Sequence, residues 1–159
     1  MNKFEAFLKE KYKGRKYGHR DAYEYHLVGV AELAREKARE ANLDPELAYA
    51  IGLSHDYLED FKVDNAPFLF HDIAKEIDWV QELTEEAHTI FFTALLEISN
   101  SSNKSYYHYI KSITNSYALL VKEADLEFNL LQDNAPKLRK YPLYKFALDY
   151  IKMKRIVKA

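Results

Sequence analysis

Apolar residues recur along this chain with the period of a helix, and little interrupts them. Leu27, Val30, Ala31 and Ala34 fall at i, i+3, i+4 and i+7, which is one helix face. Only four glycines and four prolines punctuate 159 residues, and no stretch shows convincing strand alternation. The pattern predicts an all-α bundle of seven or eight helices in one domain, residues 1–159. Helices are expected near 2–13, 23–41, 45–59, 71–82, 84–99, 102–114, 116–131 and 139–157. Asp44 can cap and Pro45 suits a first helical position, so a helix starts there. Thr84, followed by Glu85 and Glu86, marks another start. The stretch 61–70 reads as a loop, as does the basic segment holding Gly14 and Gly18. Asn100–Asn103 and Asp133–Pro136 are polar breaks.

Composition closes off several classes of function. The chain has no cysteine, so disulfides, thiolate chemistry and cysteine-held zinc are excluded. Any metal must bind through nitrogen and oxygen, a donor set that suits Mn²⁺, Fe²⁺, Mg²⁺ or Zn²⁺. A formal charge of −2 gives no support to wrapping nucleic acid. No apolar run approaches the roughly 18 residues of a membrane span. Met1-Asn2-Lys3-Phe4-Glu5 lacks the features of a signal peptide, so the cytoplasm is the expected compartment.

The chemistry concentrates in Ser54-His55-Asp56-Tyr57-Leu58-Glu59-Asp60, at the end of the apolar helix that begins at Pro45. Adjacent helical side chains point about 100° apart, so His55 and Asp56 reach one site only where that site caps the turn. A divalent metal uses both, taking an imidazole nitrogen and a carboxylate oxygen. Glu59 follows His55 by four residues and Asp60 follows Asp56 by four. The bland alternative is a solvated acidic helix end. His71-Asp72 is read that way: Lys75 stands where a second carboxylate would be, and no apolar helix leads into it.

His26, at the start of the second helix, can face inward, although a lone histidine there is more often a satisfied core residue. Asp125 lies between Val121 and Phe128 on the edge of a buried face, where a carboxylate is costly unless paired or bound to a metal. Asn129 follows one turn later.

The order His26, His55-Asp56, Asp125 on helices resembles the HD superfamily of metal-dependent phosphohydrolases. His-Asp-x-x-Glu-Asp, here His55 to Asp60, is similar to a hallmark of RelA/SpoT-type enzymes that hydrolyse the alarmones (p)ppGpp. Lys-x-Ala-Asp-x-x-x-Asn, here Lys122, Ala124, Asp125 and Asn129, is similar to their second hallmark. Tyr23, three residues before His26, and the 69-residue interval from Asp56 to Asp125 (125 − 56) also fit. The resemblance runs from about Tyr23 to Leu131. Arg15-Lys16-Tyr17-Gly18-His19-Arg20-Asp21 differs in order from the Arg-Lys-Ser-Gly-like segment of that family, and the stretch after Asp60 lacks its Thr-rich loop.

The resemblance implies one divalent metal, Mn²⁺ first among the candidates, held by His26, His55, Asp56 and Asp125. It implies that Glu59 and Asp60 act on the attacking water. It places Tyr23, Lys122 and Asn129 on a nucleotide substrate, with Arg20 and Lys16 as further candidates. Lys140 and Tyr144 are similar to a basic-x-x-x-Tyr substrate pair. The implied reaction removes the 3′-pyrophosphate of (p)ppGpp, giving GDP or GTP. A deoxynucleotidase, a 3′(2′)-phosphatase acting on a nucleotide such as NADPH, a nucleotide-binding protein without activity and a plain helical interaction domain remain open. The thirteen tyrosines cluster partly at 106–109, where they could stack on a base or simply straddle core and surface. The basic tail, Lys137, Arg139, Lys140, Lys152, Lys154 and Arg155, could meet phosphates or helix C-termini.

Overall fold

The computed structural model describes residues 3–61, 84–100, 105–132 and 138–158. The expected helix at 71–82, the His71-Asp72 pair, most of the 61–70 loop, the break at Asp133–Pro136 and Lys137 lie outside them. Helix α1 spans Lys3–Lys11. A two-stranded antiparallel hairpin follows, β1 (Lys16–Tyr17) and β2 (Arg20–Asp21), with Lys16 opposite Asp21 and Tyr17 opposite Arg20. A π-helical turn, Ala22–Leu27, leads into α2, Val28–Glu40. Then come α3 (Pro45–Ser54), α4 (Tyr57–Asp60), α5 (Glu85–Ile98), α6 (Tyr106–Ser112), α7 (Ser116–Leu130) and α8 (Tyr141–Lys158). The all-α class is as expected. Among the described residues the hairpin is the one departure from it, with strands of two residues each and Gly18 turning at φ 63°.

Helix starts follow their caps. The Asp44 carboxylate accepts from the backbone N–H of Glu46 and Leu47, satisfying two groups a helix start leaves open. Thr84 accepts from Ala87 N–H at the start of α5, and Asn115 from Tyr117 and Ala118 at the start of α7. Ser105 caps α6 through His108 N–H, so that helix begins at Tyr106 rather than near 102.

Helix α3 is apolar all round and sits at the centre. Leu47, Ala48, Ala50, Ile51 and Leu53 are all buried, as a helix without a polar face must be. Its neighbour α2 presents Val30, Ala31, Ala34 and Ala38, small residues that let the two axes close up. A Cβ on Gly52 would meet Ala31 Cα at 2.8 Å. The third wall is α7, buried from Tyr117 to Val121 and again from Glu123 to Leu126. Ion pairs tie α8 to it: Arg155 to the buried Glu123, and Lys152 to Glu127 at 3.5 Å. Lys154 donates to the Lys111 carbonyl near the end of α6, at 2.7 Å. Much of the basic tail therefore serves helix ends and helix packing. These three inner segments, the π turn with α2, the end of α3 and the middle of α7, converge on one place.

Candidate metal centre

Helix α3 does not run on to residue 59. It stops at Ser54, and His55 and Asp56 form a turn before α4 resumes at Tyr57. That break resolves the awkwardness of adjacent ligands: His55 closes the end of one helix and Asp56 opens the next. His55 is buried and its Nδ1 lies 2.6 Å from the Gly52 carbonyl. A carbonyl only accepts, so Nδ1 carries a proton and Nε2 is the atom left to take a metal or a second proton.

That atom faces two carboxylates. His55 Nε2 lies 3.3 Å from Asp56 Oδ2 and 3.4 Å from Asp125 Oδ1. His26 Nε2 lies 3.4 Å and 3.5 Å from the same two oxygens. The two imidazole rings are 5.4 Å apart between centroids. His55 Nε2 is buried and makes no hydrogen bond of normal geometry among the described residues. Donors about 2.1 Å from one ion, at tetrahedral or octahedral angles, stand roughly 3.0–3.4 Å from one another. The four histidine–carboxylate separations are close to this size. His26, His55 and Asp56, whose ligand atoms all lie within 4.8 Å of one another, fit a divalent metal, and Asp125 stands just outside that group.

Electrostatics say the same of the metal-free site. Burial opposes a charge on His55, but the carboxylates of Asp56 and Asp125 outweigh it and hold its imidazole well above its ordinary value. Against the same burial, His55 and His26 hold Asp56 well below the usual carboxylate range, and Lys122 and His55 do so for Asp125. Protons substitute for the cation that two buried carboxylates require.

Around these donors lies a cavity of about 460 Å³. Glu59 opens onto it and is held by Asn100, whose backbone N–H donates to Glu59 Oε1 at 2.5 Å. Lys122 lies in its wall, with Nζ 3.0 Å from Asp125 Oδ2. Asn129 Nδ2 reaches Asp125 Oδ1 at 3.4 Å. Lys140, just before α8, and Tyr144, in its first turn, also line the cavity.

Four of the expected site residues stand elsewhere. Asp60 does not line the cavity: it is exposed at the end of α4, where the buried Tyr12 donates to its Oδ2 at 2.8 Å. Burial, and then the charge of Asp56, raise its carboxyl above the ordinary range. Tyr23 is buried beside α1, near Glu5 and Tyr49, because the π turn directs it into the core. Lys16 and Arg20 sit exposed on the hairpin, and the Arg20 guanidinium lies 4.3 Å from the centre of the Tyr25 ring.

The hairpin supplies a different residue. The Tyr17 ring stacks on His26, 4.3 Å between centroids and 3° from parallel, and its hydroxyl donates to Asn129 Oδ1. Tyr106 and Tyr109 also line the cavity, whereas Tyr107 faces out. Of the sequence signals, only the tyrosine cluster at 106–109 pointed to any of these; Tyr17 lies in a loop whose fold has no periodicity to read.

The HD domain family model matches residues 23–130. No curated protein and no solved structure matches the chain. The matched segment is well over half of the sequence and contains His26, His55, Asp56 and Asp125, so the chain belongs to the HD domain family of metal-dependent phosphohydrolases.

Proposed function

We propose that the protein hydrolyses the 3′-pyrophosphate of (p)ppGpp, releasing pyrophosphate and GDP or GTP. The observation that carries the proposal is the placement of Glu59, Lys122, Asn129, Lys140 and Tyr144 around one cavity over the His26, His55, Asp56 and Asp125 donors. Glu59, Lys122 and Asn129 belong to the two alarmone-type motifs, and Lys140 and Tyr144 form the pair similar to a basic-x-x-x-Tyr substrate pair. His26, His55, Asp56 and Asp125 would hold one Mn²⁺. When bound, that ion lowers the pKa of a water and polarises a phosphoryl oxygen. Glu59 then accepts the proton of the attacking water as its oxygen bonds to phosphorus. The bond from phosphorus to the ribose 3′-oxygen breaks, and that oxygen leaves as a hydroxyl by taking up the proton that Glu59 received. Lys122 and Lys140 offset the phosphate charge, and Asn129 and Tyr144 orient the nucleotide. Asp60 contributes through position, since its carboxylate is engaged by Tyr12 beside Asp56.

A second reading has a specific observation in its favour. Tyr23, Lys16 and Arg20, three of the residues implied for the nucleotide, do not line the cavity. That favours another nucleotide in the same site, such as a deoxynucleoside monophosphate or NADPH with its 2′-phosphate. Product analysis with ppGpp, dAMP, dGMP and NADPH, each with Mn²⁺, separates the two. GDP and pyrophosphate from ppGpp alone supports the first reading. Turnover of another nucleotide with ppGpp left intact transfers the site to the second.

A further inference from the structure

We infer that the hydroxyl of Tyr106 is a substrate-binding group, a hydrogen-bond donor to a phosphoryl oxygen of the ligand in the cavity. This rests on the phosphohydrolase reading and extends it to a residue that neither motif contains. Buried tyrosine hydroxyls in this protein are otherwise used. Tyr12 donates to Asp60, Tyr17 to Asn129, Tyr25 to Gln132 and Tyr109 to the Ile98 carbonyl. The Tyr106 hydroxyl is also buried, yet it has no hydrogen-bond partner among the described residues. A buried polar group left unsatisfied is costly, and native structures retain such groups where something outside the protein completes them.

Its surroundings say what that is. Tyr106 lines the same cavity as His26, Asp56 and Glu59. Lys122 Nζ is 5.9 Å from the centre of its ring, and the ring of Tyr144 is 5.8 Å away. The carboxylates of Glu59 and Asp125 lie close enough to influence it, but neither accepts its proton. A phenol beside a lysine, in a cavity with a metal-type donor cluster, suits an anion that brings its own acceptor oxygens. A phosphate or pyrophosphate group is that kind of anion, and its charge makes the hydrogen bond stronger than a neutral one.

The test compares wild-type protein with Tyr106→Phe and Tyr107→Phe, using Mn²⁺ and then inorganic pyrophosphate in titration calorimetry. Phenylalanine keeps the Tyr106 ring, so the metal-free Tm of Tyr106→Phe should equal or exceed that of the wild type. Mn²⁺ affinity should be unchanged, and pyrophosphate affinity should fall about tenfold. Tyr107→Phe, altered on the exposed side of α6, should bind as the wild type does. Equal pyrophosphate affinity in wild type and Tyr106→Phe overturns the inference while the phosphohydrolase reading stands. A Tyr106→Phe protein that loses Tm gives the hydroxyl a structural role and also overturns it. Wild-type protein that fails to bind Mn²⁺, or binds Mn²⁺ but no pyrophosphate, sinks the function and the inference together.

Discussion

His55 and Gly52 are joined by a 2.6 Å hydrogen bond from the imidazole Nδ1–H to the backbone carbonyl, across the last turn of α3. The bond fixes which nitrogen of His55 faces the site, and the residue that supplies the carbonyl also packs tightly on α2, where a Cβ would meet Ala31 Cα at 2.8 Å. One glycine thus sets both the ring orientation of His55 and the distance to the helix that follows His26.

Gly52→Ala tests that dual role. Its Cβ would meet Ala31 backbone at 2.8 Å, an overlap no side-chain rotation relieves. We expect a loss of about 1–3 kcal/mol by denaturant unfolding, typical of overpacking, and weaker Mn²⁺ binding as α2 and α3 separate. Unchanged stability and metal affinity would show that the helices have slack the structure does not suggest.

The metal-free protein should respond to pH in a defined sense. His55 has its folded value raised above the unfolded 6.5, so its stabilisation is complete below about 6.5 and is lost as pH rises through the raised value. Asp56 is depressed below 3.8, so its contribution holds above about 3.8 and is lost as pH falls through the depressed value. Metal-free Tm should therefore decline from mildly acidic pH into the alkaline range. Mn²⁺ affinity should rise over that same interval, because the ion displaces the His55 proton. Calorimetry in buffers of different ionisation enthalpy reads the released proton directly; no proton release would contradict the assigned protonation.

Glu59→Gln separates the proposed base from the metal site. The side chain lies in the cavity but is not among the four donors, so Mn²⁺ stoichiometry should persist. Turnover should fall by about 10²–10⁴-fold, the usual contribution of a positioned base. Full turnover in the variant would remove Glu59 from the mechanism.

Tyr17 supports the site from the hairpin. Tyr17→Ala removes the ring stacked on His26 and the hydroxyl bonded to Asn129. Groups that orient metal ligands in this way typically affect affinity or activity about 10–100-fold. A loss of that size in Mn²⁺ affinity or turnover, with the far-UV circular dichroism retained, is the expected result; wild-type values would make Tyr17 a surface ornament of the hairpin.

The sequence was legible where periodicity and caps agree. Asp44-Pro45 and Thr84 begin helices as read, and the donors His26, His55, Asp56 and Asp125 converge because each lies at the edge of an apolar face. Local breaks were not legible. A helix expected through residue 59 interrupts at His55-Asp56, since one turn of altered backbone leaves the apolar spacing on either side intact. The π turn at Ala22–Leu27 is equally silent, and it is what sends Tyr23 to the core. Asp60 has the spacing of a site residue, but a spacing does not show that Tyr12, 48 positions earlier, holds its carboxylate.

The central claim is that His26, His55, Asp56 and Asp125 hold one divalent metal on which hydrolysis of a nucleotide phosphate depends. The most direct test is metal stoichiometry and ppGpp product analysis on the same preparations of wild type and Asp56→Ala. The account predicts one Mn²⁺ per chain with release of pyrophosphate for the wild type, and a folded Asp56→Ala with neither. An Asp56→Ala protein that keeps its metal and its turnover would contradict it.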